Sequence, residues 1–302
     1  MACRFGFTAA TSLAEALAAL AARGPGALPL AGGTDLGVLL RRRKVAPSHL
    51  VFVARVPELR RLEWDGPELV VGAAVTHRAV EKSPLFAGPL RALPEACSTV
   101  GGVQVRNVGT VGGNLCNASP AADTPPALVA LGARVTIVGP QGSRQLPLEE
   151  FFLGYRRTAV QPGELLLEVR IPRPQERSGS AFVKLGRRRA MEISIVCVAV
   201  SVTLEDDGVT CRQARIGLGS VAETTLRARQ AEEVLRGRPL VPEVLREAGQ
   251  AAAAECSPID DLRATAGYRR RAVAVLVERA AALAAQRARQ QAGLPDEAGR
   301  DR

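Results

Sequence analysis

The spacing of apolar residues divides the start of the chain into helical and extended segments. Ser12 and Glu15 form a capping-box pattern before an Ala/Leu-rich segment, which predicts a helix ending near Gly24. The short apolar runs at 28–31 and 50–54 are typical of buried strands, and the LGVLLRRR segment between them has helical spacing. The first part of the chain is therefore predicted to form a small βαβ-like lobe.

The middle of the chain alternates between strand and helix patterns. From Arg61, RLEWDGPELVVGA has the alternation of a hairpin around an Asp-Gly-Pro turn, and THRAVEKSP after it has helical spacing. A helix ending near Thr99 and another beginning near Asp123 are predicted to enclose a long, polar, glycine-rich loop. The strand patterns RVTIVG and ELLLEVRIP follow, and Pro172 and Pro174 with QERSGS predict a linker. A second, larger α+β lobe is therefore expected to end near residue 175.

The last part of the chain predicts an antiparallel sheet followed by helices. SAFVKLG, ISIVCVAVSVTLE and QARIGLGSV are strand patterns, and an Asp-Asp-Gly turn separates the second from the third. Helical spacing follows over residues 225–236, 241–255 and 266–287. Four parts are therefore predicted for an α+β chain: lobes at 1–57 and 58–175, a C-terminal unit at 176–288 and a frayed polar tail at 289–302.

The composition is that of a globular protein, with 302 residues of which 47% are hydrophobic and 3% aromatic. Its net charge of +10 comes almost wholly from arginine, because Lys44, Lys82 and Lys184 are the lysines among 40 basic residues. Such a charge can reflect nucleic-acid binding, an acidic partner or an arginine-favouring coding bias. The scarcity of aromatic residues disfavours a nucleic-acid partner, since base stacking requires them.

The chain lacks the patterns of a metal centre, a hydrolase or a membrane segment. The six cysteines form no C-x-x-C pair, and His49 and His77 are the histidines, so no metal and no iron–sulfur cluster are expected within the chain. Neither histidine has a serine or cysteine elbow around it. No run of eighteen apolar residues and no secretory leader pattern occurs, which predicts a cytoplasmic protein without a membrane span.

Two glycine-rich segments carry the strongest chemical signal. LPLAGGTDLG at 28–37 and TVGGNLCNASPAAD at 110–123 each join an apolar run to a glycine pair. Glycine lets a backbone approach a phosphate closely and offer its N–H groups. The candidate side-chain donors beside the glycines are Thr34, Thr110, Asn114 and Ser119. Either segment alone would also suit an ordinary tight turn, but the two together predict a site for a diphosphate.

Three other patterns are less specific. GLGSVA at 217–222 matches a dinucleotide fingerprint, but no alternation of strands and helices follows it, so a turn is the preferred interpretation. Basic runs at 41–44 and 187–189 are typical of solvated faces, although the second lies next to Lys184 and could face an anionic ligand. Lys184 itself, in an arginine-rich chain, indicates either a need for a compact ammonium or chance.

Several long motifs resemble one known family. In chain order, AGGTDL, QVRNVGTVGGNLCNASPAADTPPALVALGA, FFLGYRRT with PGELLLEVRIP, and FVKLGRRRAMEISIV resemble the FAD-binding medium subunit of the molybdenum hydroxylases, the group of xanthine dehydrogenase and aerobic carbon monoxide dehydrogenase. The resemblance covers roughly residues 3–285. It implies an FAD-binding fold of the vanillyl-alcohol-oxidase (PCMH) type in two subdomains, followed by a C-terminal domain with an antiparallel sheet and helices.

The resemblance also implies which residues contact FAD. The glycine segments would hold its pyrophosphate and adjoining groups, with further contacts from an aspartate, a leucine and a lysine. The implied FAD-binding residues are Leu30, Ala31, Gly32, Gly33, Thr34, Asp35, Leu36, Gly37, Thr110, Val111, Gly112, Gly113, Asn114, Asp123, Leu166 and Lys184. Val100 stands where some members have an aromatic residue, and Tyr155 and Arg188 are candidates for the side of the electron acceptor.

The function that the resemblance implies is electron transfer by an oxidoreductase subunit. In such complexes a molybdenum cofactor subunit hydroxylates the substrate, iron–sulfur clusters carry electrons singly, and FAD passes them to an acceptor such as NAD. The implied partners are an iron–sulfur subunit and a molybdenum cofactor subunit, in a dimer of heterotrimers. No side chain is expected to be catalytic, because the flavin performs the chemistry. Two other hypotheses stay open: a stand-alone flavin-dependent oxidoreductase, and a basic, non-enzymatic binding protein.

Overall fold

Three main β-sheets organise the chain, which a computed structural model describes for residues 4–188 and 190–294. The first sheet and its helices comprise β1 (Gly6–Ala9), α1 (Leu13–Arg23), β2 (Ala27–Leu30), α2 (Leu36–Arg41) and β3 (His49–Phe52). The strands are parallel, in the order β1-β3-β2. The βαβ-like pattern predicted for this part of the chain is confirmed.

Helix α1 begins where the capping pattern predicts. Ser12 Oγ accepts a hydrogen bond from the Glu15 amide at 3.2 Å. The Glu15 carboxylate in turn accepts the amide of Thr11 at 2.7 Å, one residue before the N-cap, and this bond lowers the pKa of Glu15. The helix ends at Gly24, whose φ of 62° suits glycine. Local sequence therefore sets both ends of α1.

The second sheet is antiparallel and has five strands. In chain order these are β4 (Leu62–Asp65), β5 (Glu68–Gly72), β6 (Arg134–Gly139), β7 (Gly142–Pro147) and β10 (Leu165–Pro172), and the small hairpin of β8 (Phe152–Gly154) and β9 (Arg157–Thr158) precedes the last. Across the sheet the order is β4-β5-β10-β6-β7. The accompanying helices are α3 (His77–Lys82), α4 (Ala92–Thr99), α5 (Val103–Val108), α6 (Val111–Asn117), α7 (Thr124–Ala130) and α8 (Leu148–Phe151).

The third sheet is an antiparallel meander covered by helices. Its strands, in both chain and spatial order, are β11 (Ser178–Leu185), β12 (Val196–Leu204), β13 (Cys211–Gly219) and β14 (Leu226–Arg227). The helices that follow are α9 (Arg229–Leu235), α10 (Pro242–Glu255) and α11 (Ala266–Gln291). Although α11 has 26 residues, no helix among residues 4–188 and 190–294 has the length and hydropathy needed to cross a bilayer. The α+β class predicted from the sequence is confirmed.

Strand β12 connects the two hydrophobic cores of the molecule. Val198 and Val200 on one face pack in the core that contains the last helices, with α11 against the sheet. Cys197 and Ala199 on the other face belong to the core shared by the first two sheets, through α4 and α7. Burial on both faces explains why this strand is an unbroken apolar run in the sequence.

The ends of several predicted elements need correction. The apolar run from Ile193 does not start as a strand, because Ser194 donates to the buried Asp123 and pairing begins at Val196. The helix predicted over 225–236 begins at Arg229, since Leu226 first pairs with β13. The tail predicted from 289 is helical as far as Gln291, and its residues 295–302 lie outside the described part of the chain.

A glycine in β11 allows the close approach of α11. A Cβ on Gly179 would lie 2.2 Å from the Ala284 carbonyl oxygen and 2.5 Å from the Ala288 amide nitrogen. We therefore expect Gly179→Ala to lower the free energy of unfolding in urea by about 2–3 kcal/mol, because backbone atoms must separate. Gly267→Ala, within α11 itself, is the matched control, since its nearest atom would be 3.7 Å away. Equal effects of the two substitutions would contradict this packing argument.

Candidate functional site

A cavity of about 900 Å³ is walled by segments of the first two sheets and by the loop between β11 and β12. Its volume falls in the range of sites for organic ligands and cofactors. The residues predicted from the sequence that line it are Leu30, Ala31, Gly32, Gly33, Thr34, Asp35, Leu36, Thr110, Gly112, Gly113, Asn114, Asp123 and Leu166. The remaining candidates, which do not line it, are Gly37, Val111, Tyr155, Lys184 and Arg188. The fold therefore brings both glycine segments, distant in sequence, to one site.

The first glycine segment is a loop between β2 and α2, as predicted. Gly32 approaches α5 so closely that a Cβ on it would lie 1.8 Å from the Val108 carbonyl oxygen. Gly33 has a φ of 69°, a conformation that favours glycine. Within the described residues, the backbone amides of Gly32, Gly33, Thr34 and Asp35 have no hydrogen-bond acceptor. The loop thus presents a row of donors at the wall of the cavity.

The second glycine segment is helical, which corrects the prediction of a long loop between residues 99 and 123. Helices α5 and α6 occupy it, and Thr110 caps α6 by accepting the Gly113 amide at 3.0 Å. The amides of Val111 and Gly112 donate to Val75 and Ala73, each at 2.9 Å. Because these amides are already bonded, the segment contributes shape and side chains to the cavity rather than a second row of N–H donors.

Gly112 has a packing role that the sequence pattern did not reveal. A Cβ on it would lie 2.4 Å from the Ala73 Cβ and 2.6 Å from the Ala73 carbonyl oxygen. Nearby, Asn114 Oδ1 accepts a hydrogen bond from Thr124 Oγ1 at 2.6 Å, which ties α6 to α7. The glycine therefore lets α6 lie directly on the end of β5, and the helix forms one side of the cavity.

Asp123 is held at the cavity wall by a buried ion pair. Its carboxylate accepts Lys184 Nζ at 2.6 Å and Ser194 Oγ at 2.5 Å, and only 6% of the residue is exposed. Burial raises the pKa of Asp123, and the Lys184 ammonium opposes that rise. The carboxylate is therefore fixed in position by two donors, one from β11 and one from the loop between β11 and β12.

Lys184 does not itself line the cavity, and its ammonium is bonded to protein acceptors. Besides Asp123, its ammonium donates to the carbonyl oxygens of Thr99 at 3.2 Å and Glu192 at 2.8 Å. Three acceptors for three N–H bonds explain a lysine at this position, because a planar guanidinium would not match that arrangement. The prediction that Lys184 contacts FAD stays a prediction; in this structure its ammonium holds the Asp123 carboxylate.

The acceptor-side candidates lie outside the cavity. Tyr155 is 58% exposed, and its amide donates to Glu223 Oε1 at 3.1 Å. Arg188 pairs with Glu192 at 3.2 Å and borders a smaller pocket next to Lys184. Their side chains are accessible at the surface around the site, so the prediction for them remains open.

Arg156 and Asn117 belong to the site but were not predicted. Arg156 lines the cavity with a φ of 54°, and its guanidinium donates to Asn117 Oδ1 at 2.7 Å. Asn117 Nδ2 donates to Asp35 Oδ1 at 3.1 Å, while burial raises the pKa of Asp35. These contacts connect the glycine loop, α6 and the β8–β9 hairpin. The sequence shows Arg156 directly after Tyr155, but no local pattern distinguishes which of the two lines the cavity.

Both histidines are buried. His49 pairs with Thr8 Oγ1 at 2.8 Å in the first sheet, away from the cavity. His77 lines the cavity with 2% of its surface exposed, and burial together with Arg106 lowers its pKa to about 4. Within the described residues, no group of three or more His, Cys, Asp or Glu side chains is arranged to hold a metal ion.

Two protein families match nearly all of the chain. The FAD binding domain in molybdopterin dehydrogenase matches residues 3–174, and the CO dehydrogenase flavoprotein C-terminal domain matches residues 181–284. The carbon monoxide dehydrogenase medium chain of Hydrogenophaga pseudoflava is 34% identical over 277 residues, 92% of this chain and 96% of the relative. The xanthine dehydrogenase FAD-binding subunit of Escherichia coli O157:H7 is 32% identical over 263 residues, 86% and 89% of the two chains.

A solved structure has the same fold. A chain of carbon monoxide dehydrogenase from Hydrogenophaga pseudoflava superposes with a TM-score of 0.90 at 35% sequence identity, over 95% of this chain and 99% of that one. The three sheets are therefore part of a fold already seen in a carbon monoxide dehydrogenase.

Removal of the Lys184 ammonium should leave a buried charge on Asp123. We expect Lys184→Met to lower the free energy of unfolding at pH 7 by about 3–5 kcal/mol. The pKa of Asp123 is raised in the folded protein, so the folded state binds this proton more tightly than the unfolded state does. Stability relative to wild type should therefore recover as the pH falls from 7 towards 4 and Asp123 becomes neutral.

The control for this prediction neutralises both partners. Asp123→Asn combined with Lys184→Met should recover most of the lost stability at pH 7 in urea denaturation, because no unpaired charge then remains buried. A deficit in Lys184→Met that is the same at pH 7 and pH 4.5 would contradict the assignment.

Proposed function

The chain belongs to the FAD-binding medium subunits of the molybdenum hydroxylases, and from that premise we propose that it is the electron outlet of its complex. It is a flavoprotein subunit of an oxidoreductase. In the proposed role it receives electrons from the iron–sulfur clusters of a partner subunit and passes them from FAD to an acceptor such as NAD. The interpretation as a basic, non-enzymatic binding protein is set aside by the family.

The unpaired amides at the glycine loop carry the assignment of the FAD site. Four consecutive N–H groups, from Gly32 to Asp35, face a cavity and have no acceptor among the described residues. A row of unpaired backbone donors is suited to an anion, and the diphosphate is the anionic part of FAD. We therefore place the diphosphate at this loop, with Arg156 as a nearby cation.

Apolar and acidic groups elsewhere on the wall suit the other parts of the cofactor. Leu30 and Leu166 are apolar surfaces, and Asp123 is a hydrogen-bond acceptor whose orientation Lys184 and Ser194 hold. Bound FAD supplies two-electron redox chemistry, and the chain's own residues bind and orient it. In this proposal Lys184 sets the position and charge of Asp123 rather than contacting the flavin.

Exposed apolar residues at the edge of the cavity support a partner surface there. Met191 and Ile193 line the cavity, yet 63% and 48% of their surfaces remain exposed. Large apolar residues that stay exposed beside a ligand site are typical of protein–protein contacts. We propose that the iron–sulfur subunit docks at this edge, and that Tyr155 or Arg188 lies on the side of the acceptor.

The assembly, location and domain limits stay proposals of the same kind. We propose a dimer of heterotrimers with an iron–sulfur and a molybdenum cofactor subunit, located in the cytoplasm. We also propose subdomains at 1–57 and 58–175, a C-terminal domain at 176–288 and a tail at 289–302. Purification of the native complex and limited proteolysis of this subunit address these points directly.

The glycine loop can be tested by adding bulk at one position. Gly33→Val should weaken FAD binding at least tenfold in fluorescence titration, because valine disfavours the φ of 69° that orients the amides. The fold should survive, since only the Leu30 Cδ1 atom, at 3.2 Å, lies near the new Cβ. Gly66→Val is the control, because Gly66 has a similar φ of 59° outside the cavity and its Cβ would meet nothing within 4 Å. Gly112→Val is less suitable, since it would disturb the contact of α6 with Ala73.

The electron-outlet role can be tested in the purified complex. With carbon monoxide, xanthine and nicotinate as trial substrates, we expect one of them to reduce both the clusters and the flavin. A complex carrying Gly33→Val should retain cluster reduction but lose most transfer to NAD or an artificial acceptor. Turnover of substrate by this chain alone would instead favour a stand-alone flavin oxidoreductase, and acceptor reduction that is unchanged in the flavin-depleted complex would exclude the proposed role.

A further inference from the structure

His77 is a buried polar group at the cavity that the family assignment does not explain. It is the first residue of α3, and its backbone amide donates to the Gly109 carbonyl oxygen at 3.0 Å. Its ring is almost fully buried, with 2% of the residue exposed, and it forms part of the cavity wall. A buried imidazole normally has partners for both nitrogen atoms.

One ring nitrogen has a partner within the chain. Nδ1 lies 3.7 Å from the Cys97 Sγ atom in α4. Burial raises the pKa of the Cys97 thiol, so the sulfur keeps its proton at neutral pH. A thiol is a poor acceptor, whereas the unprotonated nitrogen of a neutral imidazole is a good one. The S–H group therefore donates to Nδ1, and the proton of the imidazole is on Nε2.

The other nitrogen remains available. Within the described residues Nε2 has no hydrogen-bond partner, yet it is not among the polar atoms that are sealed from solvent. The small exposed part of His77 therefore includes Nε2, and the cavity is the space that this part faces. A residue of the cavity wall therefore carries an N–H donor without a partner among the described residues.

The ring lies beside the glycine loop. A Cβ on Gly109 would be 3.5 Å from His77 Cδ2 and 3.4 Å from Thr34 Oγ1. The edge of the His77 ring and the glycine loop therefore lie on either side of Gly109. Gly32 approaches the neighbouring Val108 carbonyl. His77 is thus next to the loop that carries the four unpaired amides.

The surrounding charges suit an acidic ligand group. Arg106 in α5 is close enough to His77 to lower its pKa, together with burial, to about 4, so the ring is neutral before ligand binding. Arg106 is itself paired with Glu81 at 3.1 Å, and Arg78 pairs with the same carboxylate at 2.8 Å. Arg106 is thus a cation close to the ring that attracts an anionic ligand group, while Glu81 pairs with it and Asp123 acts on the neighbouring Cys97 thiol.

We propose that His77 is a further FAD-binding residue, which donates a hydrogen bond from Nε2 to the diphosphate and is oriented by the Cys97 thiol. The proposal rests on the FAD site described above and assigns one more donor to it. The bond to an anionic oxygen from a neutral donor in a buried site is of the stronger class.

The test compares FAD with riboflavin, which lacks the diphosphate. In the deflavinated full-length subunit, His77→Phe should weaken FAD binding about tenfold or more in fluorescence titration while leaving riboflavin binding unchanged. His77→Gln keeps an N–H donor at a similar distance and should recover most of the FAD affinity. His49→Phe is the matched control, because it removes a buried histidine away from the cavity.

Each remaining outcome has a defined meaning. Equal weakening of FAD and riboflavin by His77→Phe, unchanged FAD affinity, or no recovery in His77→Gln would overturn the proposal. If His77→Phe does not fold, the ratio of FAD to riboflavin affinity is measured in His77→Gln and in a Cys97→Ala variant. A ratio that falls in Cys97→Ala and is kept in His77→Gln supports the proposal. A ratio that is unchanged in Cys97→Ala overturns it. A wild-type subunit that binds neither ligand would refute the FAD site itself, which separates that failure from failure of the His77 assignment.

Discussion

The buried ion pair of Asp123 and Lys184 is the interaction on which the arrangement of the two cores depends. A carboxylate and an ammonium can be buried together only when each finds its partners, and here the partners come from different parts of the chain. Two further ion pairs, Glu95–Arg287 and Glu149–Arg227, also join residues 4–174 to residues 178–294. In every ion pair that crosses from 4–174 to 178–294 within the described residues, the carboxylate lies in the first part and the cation in the second.

Close backbone approach is the second constraint on the site. Gly32 lies against Val108, and Gly112 lies against Ala73, at distances where a side chain would collide. The first contact sets the β2–α2 loop against α5, and the second sets α6 against the end of β5. The amides of Val111 and Gly112 are hydrogen-bonded at the second contact. The amides of the first segment remain unpaired. The two glycine motifs therefore look alike in sequence but differ in role: one presents donors to the ligand, and the other builds the wall on which that loop is set.

Much of this could be predicted from the sequence because it depends on local patterns. The capping box of α1, the Asp-Gly-Pro turn and the apolar run of β12 each indicate their structure directly, and the order of several motifs indicated the family and the cofactor. The contacts that decide each residue's part are nonlocal. That Lys184 is saturated by Thr99, Glu192 and Asp123 follows from three separate segments meeting, and nothing near it in the sequence indicates that. Arg156 likewise lies at the cavity through a nonlocal contact, its hydrogen bond to Asn117.

Helix α11 has a consequence for the order in which the protein can form. It covers one face of the third sheet, and its Arg287 donates to Glu95 and to the Ser180 carbonyl oxygen. Because α11 follows the third sheet in the chain, the apolar face of β11 and β12 stays uncovered until this helix has been synthesised. A chain that stopped before Ala266 would therefore keep this face of the sheet exposed, because α11 supplies one side of the second hydrophobic core.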